Sequence, residues 1–298
     1  MDQQKYYRAH LALITVAIIY GGNFIIARDV MTREFLHPFV FILLRVAFAA
    51  ILFWITDLLW IPQRMPKSRI PYLLLCSLFG VGINQLCFFA GLKATTPINA
   101  SIVMTSSPII VLLTSVLLRR EHLTYLKIAG MVIGATGAIL LITRGSWTMR
   151  FESWGDLLIL INAASYGIYL VLVKEMMHHY PALTVIKWVF TLGLIWVLPF
   201  GLTYLPQTNW STIPLDAWLG IAYVLLGTTY LAYLLNGFAL KFVPSSTVGI
   251  YIYLQPFIAA VLATGLGIEV LNGYKIVASI LIFAGVFLVS VLRIPEKS

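Results

Sequence analysis

The sequence predicts an all-α integral membrane protein: ten transmembrane helices arranged as two five-helix repeats of inverted topology. Three observations predict it. Hydrophobic residues make up 60% of the 298 positions and charged residues only 10%, against about 25% charge in an ordinary soluble domain. The apolar residues gather into continuous runs, each near the roughly 20 residues a helix needs to cross a bilayer. The second half of the chain also repeats features of the first at a nearly fixed offset.

The apolar runs fall at residues 10–27, 39–59, 70–91, 97–118, 123–143, 154–174, 184–204, 217–237, 245–267 and 273–293. They are unbroken rather than alternating, which is the pattern of helices and not of a barrel. The connections are short and hold no soluble domain. The first run is too long for the core of a signal peptide, and no small-x-small cleavage pattern closes it.

The formal net charge is +9, from 20 Lys and Arg against 11 Asp and Glu. In a soluble chain such an excess points to nucleic acid. Here the cations occupy short loops, where they orient helices in a bilayer, so nucleic acid is not expected as a partner. An even number of spans puts both termini on one side. With them lie thirteen cations: Lys5, Arg8, Arg64, Lys67, Arg69, Arg119, Arg120, Lys127, Lys174, Lys187, Lys241, Arg293 and Lys297. The other side has six: Arg28, Arg33, Lys93, Arg144, Arg150 and Lys275. The bias predicts cytoplasmic termini in a bacterial-type cytoplasmic (inner) membrane.

The two cysteines, Cys76 and Cys87, share one span and read as packed thiols. The five histidines lie near span ends, and His178-His179 lacks the i, i+4 spacing that puts two ligands on one helical face. No catalytic residue, metal site or cofactor is expected. An intramembrane enzyme is the non-transport alternative, but ionisable groups do not converge at either surface.

The repeat is legible residue by residue. At an offset of 148, Leu92-Lys93 matches Leu240-Lys241, Pro108 matches Pro256, Glu121 matches Glu269, Lys127-Ile128 matches Lys275-Ile276, and Gly137 matches Gly285. At an offset of 146, Tyr20-Gly21 matches Tyr166-Gly167 and Arg28-Asp29 matches the like-charged Lys174-Glu175. The repeats are expected at 10–143 (helices 1–5) and 154–293 (helices 6–10). Five helices is an odd number, so the second copy enters the membrane from the opposite side. Inverted repeats of this kind characterise alternating-access transporters, with the substrate held between the halves.

Polar stripes within the spans name the candidate binding residues. They are Tyr20 and Asn23 on helix 1, Asn84, Gln85 and Phe88 on helix 3, and Ser107 on helix 4. Their partners in the second half are Asn162, Tyr166 and Tyr169 on helix 6, Tyr233 and Asn236 on helix 8, and Tyr251 and Gln255 on helix 9. Aromatic rings would supply apolar area, while amides and hydroxyls would fix orientation. Each residue equally has a packing role as its alternative. Pro108 and Pro256 each remove one backbone hydrogen bond within a span and are candidate hinges. Arg45 is a charge inside a span, read either as an anion-attracting group or as a snorkelling residue paired with Asp29 or Glu34. No Asp or Glu stands near the middle of a span, which favours facilitated diffusion or exchange over proton antiport. Gly130-x-x-x-Gly134 is a close-packing pattern, assigned to packing within the bundle; a monomer is expected, with a homodimer left open.

The chain resembles the drug/metabolite transporter superfamily, in its EamA-like permease branch. The resemblance rests on Gly91-Leu92-Lys93-Ala94-Thr95-Thr96-Pro97, Ser107-Pro108-Ile109 and Arg119-Arg120-Glu121 in the first half. Ala239-Leu240-Lys241, Gln255-Pro256-Phe257 and Glu269 answer them in the second, and Arg45 following Pro38 also fits. It implies a single-chain carrier whose cavity is lined by helices 1, 3, 4, 6, 8 and 9, with helices 5 and 10 peripheral. The solutes it implies are small organic metabolites, amino acids or similar zwitterionic or neutral molecules, exported or facilitated. Multidrug efflux of lipophilic compounds is the alternative.

Overall fold

The computed structural model describes residues 3–32, 35–60, 63–95, 100, 103–143, 154–265, 267 and 272–290. The described residues are helical, with turns between, and contain no strand. Eight helices are long and apolar enough to cross a bilayer. These are α2 (Pro38–Leu59), α3 (Lys67–Ala94), α5 (Tyr125–Ile142), α6 (Trp154–His179), α7 (Ala182–Gln207), α8 (Leu215–Leu240), α9 (Ser245–Leu262) and α10 (Gly273–Ser290). α1 (Gln3–Thr32) is a 30-residue helix, and α4 (Ser107–Leu117) is a shorter apolar one. In lipid, every backbone N–H and C=O must find a partner inside the protein, and helices meet that demand segment by segment.

Local sequence explains the helix ends. His37 caps α2 by accepting from the Phe39 N–H at 3.3 Å, with Pro38 in the first turn where no N–H is required. Thr124 caps α5 through Lys127 N–H at 3.3 Å. α4 ends on Arg119, whose φ of 54° carries the chain into the left-handed region normally given to glycine.

Four helices depart from plain α geometry. α3 contains a π-helical turn at Leu78–Ile83, and α8 contains one at Val224–Leu231. Shifted by 148 positions, residues 78–83 fall on 226–231, inside the second turn. The fourth and ninth spans, expected to be continuous, are both interrupted. A turn at residues 105–106 precedes α4, and a 3-10 turn at Tyr251–Tyr253 divides α9 into Ser245–Ile250 and Leu254–Gly265. Each break lies just ahead of its proline, Pro108 or Pro256, so the proline falls in the first turn of the helical piece that follows. There its missing N–H costs nothing. Residues 97–99 and 101–102 of the fourth span lie outside the described residues.

The helices pair as α5 with α10, α2 with α7, α3 with α6, α1 with α8, α4 with α6, α1 with α9, and α4 with α9. Exchanging each helix for the one five places along leaves this set of pairings unchanged. The Gly130-x-x-x-Gly134 face of α5 is occupied within the chain. A Cβ at Gly130 would come within 2.9 Å of the Gly285 carbonyl, so the backbones of α5 and α10 touch. Phe41, Phe53, Phe190 and Tyr253 are wholly buried. Leu11, Ile14 and Ile18 on α1, and Ile276, Ile280, Phe283 and Phe287 on α10, point outward at helical spacing. Apolar stripes turned outward on membrane-length helices are the surface that lipid covers.

Candidate functional site

A cavity of about 240 Å³, counting its mouth, lies between α1, α6, α8 and α9. α1 lines it with Leu13, Val16, Ala17 and Tyr20, α6 with Tyr166, α8 with Asn236, and α9 with Val248, Tyr251, Ile252 and Gln255. Tyr20, Tyr166, Asn236, Tyr251 and Gln255 were all expected from the sequence to bind solute, and the structure brings these five together. The cavity is mostly aliphatic and aromatic, with a few polar groups, the composition of small-molecule sites. Its volume is at the low end for such sites.

The remaining candidates form the wall behind it. Tyr169 stands 6.3 Å from Tyr166 and 6.3 Å from Tyr233, ring centre to ring centre, and Tyr233 meets Phe190 edge-on at 4.8 Å. Only glycine fits at position 80, because a Cβ there would enter the Tyr169 ring at 2.4 Å. The π turn of α3 loosens carbonyls that side chains then take up. Tyr233 donates to Gly80 O at 3.3 Å, Ser165 to Phe79 O at 2.6 Å, and Asn162 to Asn84 O at 2.7 Å. Gln85 Nε2 donates to Tyr233 Oη at 3.5 Å. Asn84 therefore enters this network through its carbonyl, not its side chain. Phe88 packs on Phe89 at 5.1 Å and on a small cluster with Ala100, Val103 and Ile159. Ser107 Oγ and Asn23 Oδ1 are buried with no hydrogen-bond partner among the described residues.

Pro108 and Pro256 follow the breaks in their helices, and Tyr253 Oη donates to Thr105 O at 3.0 Å where the first break frees it. Gly249 of α9 backs onto Pro108, so the two interrupted helices cross at their breaks.

Sequence reasoning missed three arrangements. His10 Nδ1 lies 2.7 Å from Tyr251 Oη beside the cavity. Its position three residues before Leu13 and ten before Tyr20 puts it on the cavity face of α1, a periodicity that was available. Asp57 of α2 and Lys187 of α7 form a buried ion pair, each residue 3% exposed, with Thr184 donating to Asp57 Oδ1 at 3.2 Å. The Lys187 ammonium also sits over the Trp54 ring at 4.2 Å. Lys187 was counted among the orienting loop cations, and only the α2–α7 packing shows its partner. Asp156 is likewise buried and accepts from Thr95 Oγ1.

Arg45 is 8% exposed and does not snorkel to water. Its Nε donates to Thr229 Oγ1 at 3.0 Å, and its guanidinium carbon lies 5.9 Å and 5.5 Å from the Phe41 and Phe89 ring centres. The side chains of Asp29 and Glu34 lie outside the described residues.

Outside the spans, Glu121 joins the two halves. It receives Lys127 Nζ at 2.8 Å, the Ser246 N–H at 3.1 Å and the Ser246 hydroxyl. Burial raises its carboxyl, but these donors outweigh burial and hold it below the usual carboxylate range. Its counterpart Glu269 lies outside the described residues.

A lipid-facing helical bundle with a polar, aromatic cavity between non-adjacent helices defines a helical membrane transporter. The EamA-like transporter family matches this chain twice, over residues 7–143 and 153–291. The chain belongs to that family. It is 28% identical over 290 residues to a protein of Archaeoglobus fulgidus described as an uncharacterized transporter, covering 94% of this chain and 96% of the other. It is 26% identical over 293 residues to a probable amino-acid metabolite efflux pump of Salmonella typhimurium, covering 93% of each. A solved crystal structure that is 18% identical shares the fold, with a TM-score of 0.79 over 94% of this chain and 95% of that one.

Proposed function

We propose that this protein exports small organic metabolites, namely amino acids or similar zwitterionic or neutral solutes, by alternating access between two inverted five-helix halves. In this reading ten helices span the membrane, the halves are 10–143 and 154–293, and both termini face the cytoplasm of a cell whose inner membrane holds the protein. The observation that carries it is a pair of self-contacts. Gln85 bonds to Tyr233, and Thr105 bonds to Tyr253, each pair 148 positions apart. That separation is the offset of the repeat, so each residue touches its own counterpart. Contacts of that kind arise where two related halves meet, and the cavity lies beside them. The matched π turns and the five-place exchange of helix pairings support the same symmetry. The efflux-pump description of the Salmonella relative supports the direction and the solute class.

The thirteen polar and aromatic candidates act here as lining and wall, and Pro108 and Pro256 as hinges. Facilitated diffusion or exchange fits a bundle in which Asp57 and Asp156, the buried carboxylates of the described spans, are engaged by neighbouring side chains.

Counterflow in proteoliposomes against amino acids, sugars, nucleosides and lipophilic cations tests the reading. Amino-acid flux is expected, and it should fall in Tyr166→Ala, Tyr251→Ala and Gln255→Ala with membrane expression intact. Normal flux in all three variants would remove the cavity from the path. Uphill accumulation driven by a pH gradient alone would overturn the coupling. Protease cleavage of a tag at Ser298 in intact cells would reverse the orientation.

A further inference from the structure

The most unusual charge in the molecule is Arg45, eight residues into α2 and nine-tenths buried. A guanidinium keeps its proton in any protein environment, so burial cannot be relieved by neutralisation. It is relieved only by an anion or by a full set of acceptors. Thr229 takes one of its five N–H groups, and the Phe41 and Phe89 rings flank its plane. No carboxylate pairs with it among the described residues. Lys187, Arg120 and Lys127, by contrast, each meet one: Asp57, Glu175 and Glu121.

The position of Arg45 connects it to the cavity. Thr229, Tyr233 and Asn236 share one face of α8, with Thr229 holding Arg45 and Asn236 lining the cavity. Seven residues separate these two, about 10 Å along the axis. Tyr20, which also lines the cavity, and Tyr233 both interact electrostatically with the guanidinium. The cation thus lies beyond Tyr20 at the inner end of the cavity, with tyrosine hydroxyls on the way.

We propose that Arg45 is the carboxylate-recognition group of the transport path, receiving the anionic end of the solute in the fork left open by its single bond to Thr229. This rests on the transport reading above and narrows it. A planar, two-pronged donor matches a carboxylate. A buried cation also repels lipophilic cations, so Arg45 selects for amino acids and against cationic drugs.

The test uses the purified full-length chain in detergent, with thermal unfolding as the binding readout. The probes are phenylalanine, leucine and glutamine, each beside its carboxamide, with sodium chloride as the inorganic-anion control. At least one acid should bind roughly tenfold to a hundredfold more tightly than its amide, the worth of one or two charge-assisted bonds. Arg45→Gln should erase that preference while amide binding persists, and Arg45→Lys should keep part of it. Should Arg45→Gln fail to fold, Thr229→Ala serves, because it untethers the guanidinium without removing it and should lower the preference severalfold. Equal binding of acid and amide, a preference that survives Arg45→Gln, stabilisation by chloride alone, or no stabilisation by any acid overturns the proposal. Counterflow of nucleosides or lipophilic cations without amino acids sinks Arg45 and leaves transport standing. Acid-selective binding with no flux of any solute leaves Arg45 standing and sinks transport.

Discussion

α2 carries two buried charges, and they are opposites in more than sign. Asp57, near one end, is closed into a pair with Lys187 and further held by Thr184. Arg45, twelve residues earlier and about 18 Å away along the axis, has one hydroxyl and two aromatic rings. A satisfied charge fastens one helix to another, here α2 to α7. A charge without its counter-ion destabilises the empty protein and persists because something outside the chain completes it. Burial alone does not separate fastening from recognition. The partners do.

The comparison breaks first at Asp57. Asp57→Asn leaves the Lys187 ammonium buried beside a neutral amide and should cost about 3–5 kcal/mol, read as a large fall in unfolding temperature in detergent. Replacing both partners, as Asp57→Leu with Lys187→Met, should restore most of it. A single variant as stable as the parent would mean that the pair does not fasten α2 to α7.

Glu121 gives a middle case, because its pair with Lys127 lies at the helix ends rather than within a span. Glu121→Gln should cost about 1–3 kcal/mol, as it strips charge from the bonds to Lys127 and Ser246. The carboxyl is held below its ordinary range in the folded protein, so its contribution is present at neutral pH. It fades as pH falls below the ordinary glutamate value of about 4.3 and is gone once pH is below the folded value. Unfolding temperatures of parent and Glu121→Gln should therefore converge in acid. A gap that stays constant down to the acid limit would show that the charge plays no part.

Arg45 should give the smallest effect on stability. Without solute, Arg45→Gln removes an uncompensated buried charge and should shift stability by no more than about 1 kcal/mol, in either direction. A loss as large as that of Asp57→Asn would make Arg45 a fastener too.

The membrane helices were legible because hydropathy acts over whole segments. The run at 39–59 matches α2, and the run at 123–143 contains α5. The breaks in the fourth and ninth spans were visible only as Pro108 and Pro256, which mark a weakness without locating it. The turns lie just ahead of the prolines, where Tyr253 can reach the freed Thr105 carbonyl. The π turns had no local signature, since they depend on Tyr233, Ser165 and Asn162 arriving from other helices. The same limit divides the candidate site. Spacing along one helix identified Tyr20, Tyr251 and Gln255 as sharing faces, and these line the cavity. It had no means of separating lining from wall, so Tyr169, Gln85 and Asn162 were grouped with them. The Asp57–Lys187 pair was hidden for the same reason, as its two halves are 130 positions apart.

The π turns also leave a mark on how these helices tolerate length change. A π turn holds one residue more than an α turn, so α3 and α8 each carry a residue of slack. Losing a residue from Leu78–Ile83 can be absorbed by relaxing the turn to α geometry, leaving the helix unbroken. Everything beyond it then rotates by about 100°, and Gln85 and Phe88 turn away from Tyr233 and Phe89. Indels at this point would change what the chain handles before they change whether it inserts.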